Sequence, residues 1–176
     1  VQPSGLGFEF NGDQLLYEGG LMVGAIKSGI IGVSDNLRDS LGIDSDFSRI
    51  LATNTIPSPL FGDKEIEVTI NDAESPNKLD IEVNQMAYAW SSNPDANYII
   101  MTYDIINSDT AFQLQDLYVG LFADWDIWDY SLNKVSFDNA NRMGYTFSSQ
   151  FNTPYAGIKL LSEQEVFHYA IDNING

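Results

Sequence analysis

Apolar and polar side chains alternate most strictly over Glu65 to Asn71, where Ile66, Val68 and Ile70 share one face and Glu65, Glu67 and Thr69 the other. A period of two marks a strand with one buried side. The spacing therefore predicts a strand with Glu65 and Glu67 in water and the three aliphatic residues inside. From Leu79 the apolar positions run Leu79, Ile81 and Val83, then change parity to Met86, Tyr88 and Trp90. That switch suggests a bulge, or a strand covered on both faces. Tyr98 to Ile106 and Leu114 to Ala123 are apolar on both parities, which predicts two central strands with something packed on each face. Between them stands the short connection Asn107-Ser108-Asp109-Thr110, as expected for antiparallel neighbours. With Asn93-Pro94-Asp95-Ala96 as the preceding turn, residues 79 to 124 read as a three-stranded antiparallel meander.

The prolines (Pro3, Pro57, Pro59, Pro76, Pro94 and Pro154) stand beside Ser, Asn or Asp and mark loops. Further strand candidates are residues 5–10, 14–18, 21–27, 30–34, 143–149, 155–161 and 166–171. Only residues 36–52 have spacing suited to a helical turn or two, through Leu37, Leu41, Phe47 and Ile50. About eleven short strands punctuated by Gly, Asn and Pro predict an all-β chain, a β-sandwich of two mainly antiparallel sheets. Residues 1–176 read as a single β-sandwich domain. The chain starts at Val1 and finishes on Asn175-Gly176, a hairpin signal with no strand after it. Both ends suggest a segment of a longer multidomain polypeptide.

Composition narrows the function classes. Eight basic against 25 acidic side chains give a formal charge of −17, which repels phosphate backbones and anionic membrane surfaces. Nucleic acid is thus excluded as a natural partner, and no apolar run reaches the ~20 residues of a membrane-inserted helix. The absence of cysteine removes disulfides, zinc-thiolate sites and a thiol nucleophile. No Gly-rich phosphate loop, dinucleotide fingerprint or Gly-x-Ser-x-Gly elbow is present. His168, the one histidine, cannot build a histidine zinc site by itself and reads as a structural or surface residue.

Carboxylates are what remains. Asp124 and Asp126, at the end of the 114–123 strand, project to one side of an extended chain, and calcium prefers six to eight oxygen ligands of this type. A tight meander would bring Asp95 and Asn97 to the same sheet end, with Asp129 or Asp138 adding oxygens. Calcium is therefore the candidate ion, although Trp128 and Val135 stand where an EF-hand would place ligands. Solvated acids at a strand end are the plain alternative. In a symmetric hairpin Asp104 would face Asp116, a pairing that describes a glycosidase carboxylate pair, with a misread register or edge-facing acids as the plain alternatives. Glu18, a lone acid before Gly19-Gly20, reads either as a buried carboxylate or as an acid turned outward at a bulge. Trp90, Trp125, Trp128, Tyr88 and Tyr130 could form a sugar platform or simply core.

The strings Leu16-Tyr17-Glu18-Gly19-Gly20-Leu21-Met22-Val23-Gly24, Tyr103-Asp104-Ile105-Ile106-Asn107 and Leu117 to Ile127 (LYVGLFADWDI) resemble a bacterial accessory region. It is the β-rich region that follows the subtilisin-like serine peptidase domain in large secreted proteins, many ending in a sorting domain. The resemblance implies a secreted or cell-surface location and neighbouring domains of the same polypeptide as partners. It brings no catalytic residues, and the Gly-Thr-Ser-Met-Ala and His-Gly-Thr peptidase motifs are missing from this chain. The expected function is a non-catalytic accessory β-sandwich beside such a peptidase. A carbohydrate-binding or glycoside-processing module and a calcium-stabilised adhesion or spacer module are the alternatives.

Overall fold

The computed structural model describes residues 8–39, 42–150 and 153–171. Among these the chain is all-β. In order, the strands are β1 (Glu9–Phe10), β2 (Asp13–Gln14), β3 (Leu16–Lys27), β4 (Ile30–Ser34), β5 (Arg38–Asp39), β6 (Gly42–Ile43) and β7 (Ser48–Thr55). They continue with β8 (Lys64–Asn71), β9 (Ile81–Ala89), β10 (Ile99–Asn107), β11 (Leu114–Trp125), β12 (Asn133–Asp138), β13 (Met143–Ser148) and β14 (Tyr155–Lys159). Two single 3-10 turns, Asp95–Asn97 and Tyr130–Leu132, complete the regular structure. Among the described residues of 36–52, which leave out Leu41, no helical turn forms; Ser48 opens β7, whose apolar residues serve a strand edge. Residues 166–171 are likewise not a strand, but part of an irregular segment.

The chain groups into two compact units, Gly20–Phe122 and Val1–Gly19 with Ala123–Gly176. The first is a β-sandwich. A four-stranded sheet, β10-β9-β8-β7, faces a three-stranded sheet, β11-β3-β4. Leu21, Val23 and Ala25 of β3 meet Ile81 and Val83 of β9, with Leu79, Phe47 and half-buried Ile70, Tyr103, Ile105 and Leu114 completing the core. The hairpin joining β3 to β4 closes on the pair Lys27↔Ile30. Its two turn residues, Ser28 and Gly29, both have positive φ, the primed geometry that matches strand twist. Gly32 is required by packing. A Cβ there would lie 2.4 Å from the Asn77 carbonyl and 2.7 Å from Leu79.

The expected meander is only half present. β9 and β10 pair antiparallel without interruption, with Asp104 beside Asn84. β11 then leaves for the opposite sheet, so β10 and β11 are edges of different sheets rather than central neighbours. Asp104 consequently does not face Asp116. The loop Ser108–Gln113 is a crossover between layers, held where Asn107 Nδ2 donates to the Phe112 carbonyl at 2.8 Å. Double-sided apolar composition had implied double-sided burial, yet Ile99, Met101, Ile106, Leu117, Tyr118, Val119 and Leu121 are exposed.

β8 does not present the wet face expected of Glu65 and Glu67. Glu65 is buried, with 3% of its surface exposed, because the loop before it folds over that face. Its Oε1 accepts the backbone N–H groups of Leu60, Phe61 and Gly62 at 2.8, 2.5 and 3.1 Å. These bonds, led by Phe61, hold the carboxyl below its ordinary range. Glu67, Ile66, Val68 and Ile70 are all half-buried. The parity change in β9 is no bulge, since its pairing with β8 runs unbroken. Instead, Phe61 from the same loop packs edge-on to Tyr88 at 6.1 Å on the second face.

In the second unit β1 and β2 form a hairpin closed by Asn11-Gly12, both at positive φ. β12, β13 and β14 make an antiparallel sheet. Leu15, Ile127 and Ala156 form its core, with Phe10 and Trp125 packed alongside. The last segment is fastened by Arg142, whose guanidinium donates to the Ser162 and Gln164 carbonyls. His168 stacks on Phe137 with centroids 5.0 Å apart. It lies over Gly144, where a Cβ would come within 2.6 Å of the imidazole. His168 is thus an exposed residue whose ring packs on Phe137.

Candidate functional site

The sequence-predicted calcium ligands fall in two places. Asp95 and Asn97 form the first 3-10 turn, where Asp95 accepts the Tyr98 hydroxyl at 2.7 Å. Asp124 lies near the end of β11 and Asp126 just beyond it, both in the second unit. Burial, then the charge of Asp124, pushes the Asp126 carboxyl above its ordinary value. Asp129 caps the second 3-10 turn, accepting from the Ser131 N–H at 3.1 Å and hydroxyl at 2.6 Å. Asp138 is committed to a turn through the Asn141 N–H and side-chain amide.

Among the described residues, the carboxylate group with mutual spacing for one cation is Asp35, Asp44 and Asp46, whose oxygens lie within 4.8 Å of one another. The segment is knitted into place. Asn36 exchanges two hydrogen bonds with the Phe47 backbone, at 3.1 and 2.8 Å, and Asp44 N–H donates to the Leu37 carbonyl at 2.8 Å. Burial raises the Asp46 carboxyl above its ordinary value, opposed by the Asp35 N–H and reinforced by the charges of Asp44, Asp35 and Asp72. An all-oxygen set of this kind suits a hard cation. The Asp44-Ser45-Asp46 spacing repeats the pattern of Asp124 and Asp126, so the sequence signal existed. Which pair meets a third carboxylate is a property of the fold.

A second polar centre gathers Lys27, Asp80, Asp109 and Lys78. Lys27 closes the β3–β4 hairpin, Asp80 precedes β9 and Asp109 follows β10. Lys27 Nζ bonds Asp80 Oδ2 and lies 2.9 Å from Asp109 Oδ2, while Lys78 Nζ lies 2.8 Å from Asp80 Oδ1. The Phe112 ring stands 5.9 Å from Lys27 Nζ. Hydrogen bonding to Asp80, then Asp109, raises the Lys27 ammonium value, and Lys27 correspondingly lowers both carboxyls. Nothing in the linear pattern pointed to this group, because its members lie on three separated segments.

Glu18 is buried rather than turned outward. The aromatic residues proposed for a sugar platform also divide. Tyr88 and Trp90 lie in the sandwich, Trp90 tilted against Tyr98 at 5.4 Å. Trp125 packs edge-on to Phe8 at 6.0 Å, Trp128 Nε1 donates to Asp13 at 3.1 Å, and Tyr130 is exposed. A different aromatic group stands on one face of the β12–β14 sheet. Tyr145, Phe147 and Tyr155 have centroids 5.4–6.0 Å apart. The register sets Lys134, Ser136 and Lys159 on the same face.

The outer face of β11-β3-β4 carries an open apolar surface. With Leu21, Val23 and Ala25 pointing inward, Met22, Gly24 and Ile26 point out. Their β4 partners are Val33 for Gly24 and Ile31 for Ile26. Gly120 of β11 lies beside Met22 on that face. Ile31 is 71% exposed and Tyr118 66%. A shallow cleft of about 310 Å³, lined by Ile105, Asn107, Gln113, Leu114 and Leu117, opens between the sheets beside the β10–β11 crossover. No protein-family model, curated protein or solved structure matches this chain.

Proposed function

We propose that the chain is a non-catalytic accessory β-sandwich of a secreted, multidomain bacterial protein, seated beside a subtilisin-like peptidase. The observation that carries this reading is the outer face of β11-β3-β4. Contiguous apolar patches of this kind mark surfaces that another polypeptide covers. Glycines at positions 24 and 120 keep this one low enough for close approach. A neighbouring domain of the same polypeptide is the proposed cover. The −17 charge keeps the module away from anionic surfaces and leaves apolar contact as the attraction. The test compares Ile31→Lys in the isolated chain and in the complete polypeptide. The substitution is expected to leave the isolated melting temperature unchanged and to lower that of the module in its natural setting. Silence in both settings overturns the proposal, as does peptide or glycoside turnover by the isolated chain that Glu18→Gln or Asp104→Asn abolishes.

The cluster of Tyr145, Phe147 and Tyr155 favours a second reading, a carbohydrate-binding module, since sugar rings stack on aromatic faces while Ser136 and the flanking lysines supply hydrogen bonds. A glycan array with Tyr155→Ala as control decides it. Binding lost in the variant supports a carbohydrate module, and an array without binding removes it.

A further inference from the structure

We propose that Lys27 and Asp80 form an intramolecular isopeptide bond, with Asp109 as the proton relay and Lys78 as the group that stabilises the oxyanion. The cluster contains each part such a condensation requires. Lys27 supplies the amine, its side chain 14% exposed beneath the Phe112 ring. Asp80 supplies the carboxyl, in direct contact with that amine through Oδ2. Its other oxygen, Oδ1, receives Lys78 Nζ at 2.8 Å, so negative charge developing there meets a fixed cation. Asp109 Oδ2 touches the same amine at 2.9 Å.

The framework fixes these groups before reaction. Asp80 sits at positive φ, a left-handed conformation that aspartate adopts more readily than most non-glycine residues. Its carbonyl accepts the Ser108 N–H at 2.9 Å, which ties the Asp80 backbone to the Asp109 loop. Asp109 Oδ1 accepts the Ala111 N–H at 2.9 Å, leaving Oδ2 aimed at Lys27. Amine and carboxyl held in contact gain the rate advantage of proximity, with effective molarities that reach roughly 10⁵ M or more for well-oriented groups.

The step balances. In the resting state Lys27 is an ammonium and both aspartates are carboxylates. Nζ passes one proton to Asp80 Oδ2, giving a neutral amine and a neutral acid. The nitrogen lone pair then forms the Nζ–Cγ bond, and the carbonyl electron pair moves onto Oδ1 beside Lys78. Asp109 takes a proton from the resulting nitrogen cation and delivers it to Oδ2, which leaves as water while Oδ1 restores the double bond. One ammonium and one carboxylate have become one secondary amide and one water, and Asp109 is again a carboxylate. Its lowered pKa keeps it in the form a relay needs, whereas the ion pairing of Lys27 with Asp80 opposes the first proton transfer. The product would join the two sheets covalently in a chain without cysteine.

Intact mass spectrometry of the purified chain, fresh and after prolonged incubation, tests this directly. The expected mass is lower than the sequence mass by one water, with a branched tryptic peptide joining Lys27 to Asp80. Lys27→Arg, which keeps the ion pair and the fold, is expected to restore the full mass, and Asp109→Ala to slow or stop the loss. Full mass in the incubated wild type overturns the proposal. So does a water loss that persists in Lys27→Arg, the sign of an aspartyl succinimide, or a branch at Asp109 instead of Asp80.

Discussion

Removing the carboxylate of Asp72 is the sharpest test of how the sandwich is held. Asp72 is among the most buried residues, at the turn between β8 and β9. Its Oδ2 accepts the Leu79 N–H at 2.5 Å and the Ser34 hydroxyl at 3.1 Å, and its Oδ1 accepts the Ile81 N–H at 2.9 Å. Asp72→Ala leaves two backbone donors and one hydroxyl without that acceptor in a site closed to water. Each orphaned buried donor costs about 1–3 kcal/mol, so the two N–H groups alone set the loss near 4 kcal/mol, a large share of the stability of an ordinary domain. With a urea slope of about 2 kcal/mol/M, the unfolding midpoint is expected to fall by about 2 M in a titration followed by circular dichroism at neutral pH. Asp72→Asn should recover only part of the loss, because its NH₂ group must face one of the donors. The Ser34→Ala and Asp72→Ala pair should show coupling of about 1 kcal/mol in a double-mutant cycle. A midpoint shift under about 0.5 M for Asp72→Ala would refute the assignment of the turn to this carboxylate.

Other consequences follow from single groups. Because Glu65 sits below its ordinary value, its contribution is complete above that value and is lost as pH falls through the depressed one. Amide exchange at Leu60, Phe61 and Gly62 should accelerate selectively on acidification, and in Glu65→Gln should already be faster at neutral pH. Asp46 has the opposite sign. Its raised carboxyl makes folding less favourable as pH rises from the ordinary aspartate value through the folded one, so Asp46→Asn should stabilise the chelator-treated protein at neutral pH by about 0.5 kcal/mol, the scale of a screened surface pair. If the three carboxylates hold calcium, millimolar calcium should raise the melting temperature of the wild type by mass action. That shift should vanish in Asp44→Asn and survive in Asp124→Asn, and equal melts with calcium and chelator would dismiss the ion.

The sequence by itself determined the class of this protein. Alternation, β-branched and aromatic runs and polar punctuation predict an all-β sandwich, because a period of two has no helical counterpart that buries the same residues. Leu79, Ile81 and Val83 were legible as one row on a single face for the same reason. What alternation cannot specify is the partner across each strand. β10 and β11 are apolar on both parities, which linear reading equates with burial, yet the crossover at Ser108–Gln113 sends them to edges of different sheets. Glu65 has the spacing of a solvent-facing residue, and only a loop folding back with three N–H groups makes its burial favourable. The same limit governs the site chemistry. Asp44-Ser45-Asp46 and Asp124-Trp125-Asp126 look alike in one dimension, but Asp35 closes on the first pair because residues 36 and 47 are clipped backbone to side chain. Lys27, Asp80 and Asp109 carry no local signature. Two strand ends and a crossover bring them together, and contacts between residues so distant in sequence are fixed by strand order and register, which the tertiary structure alone decides.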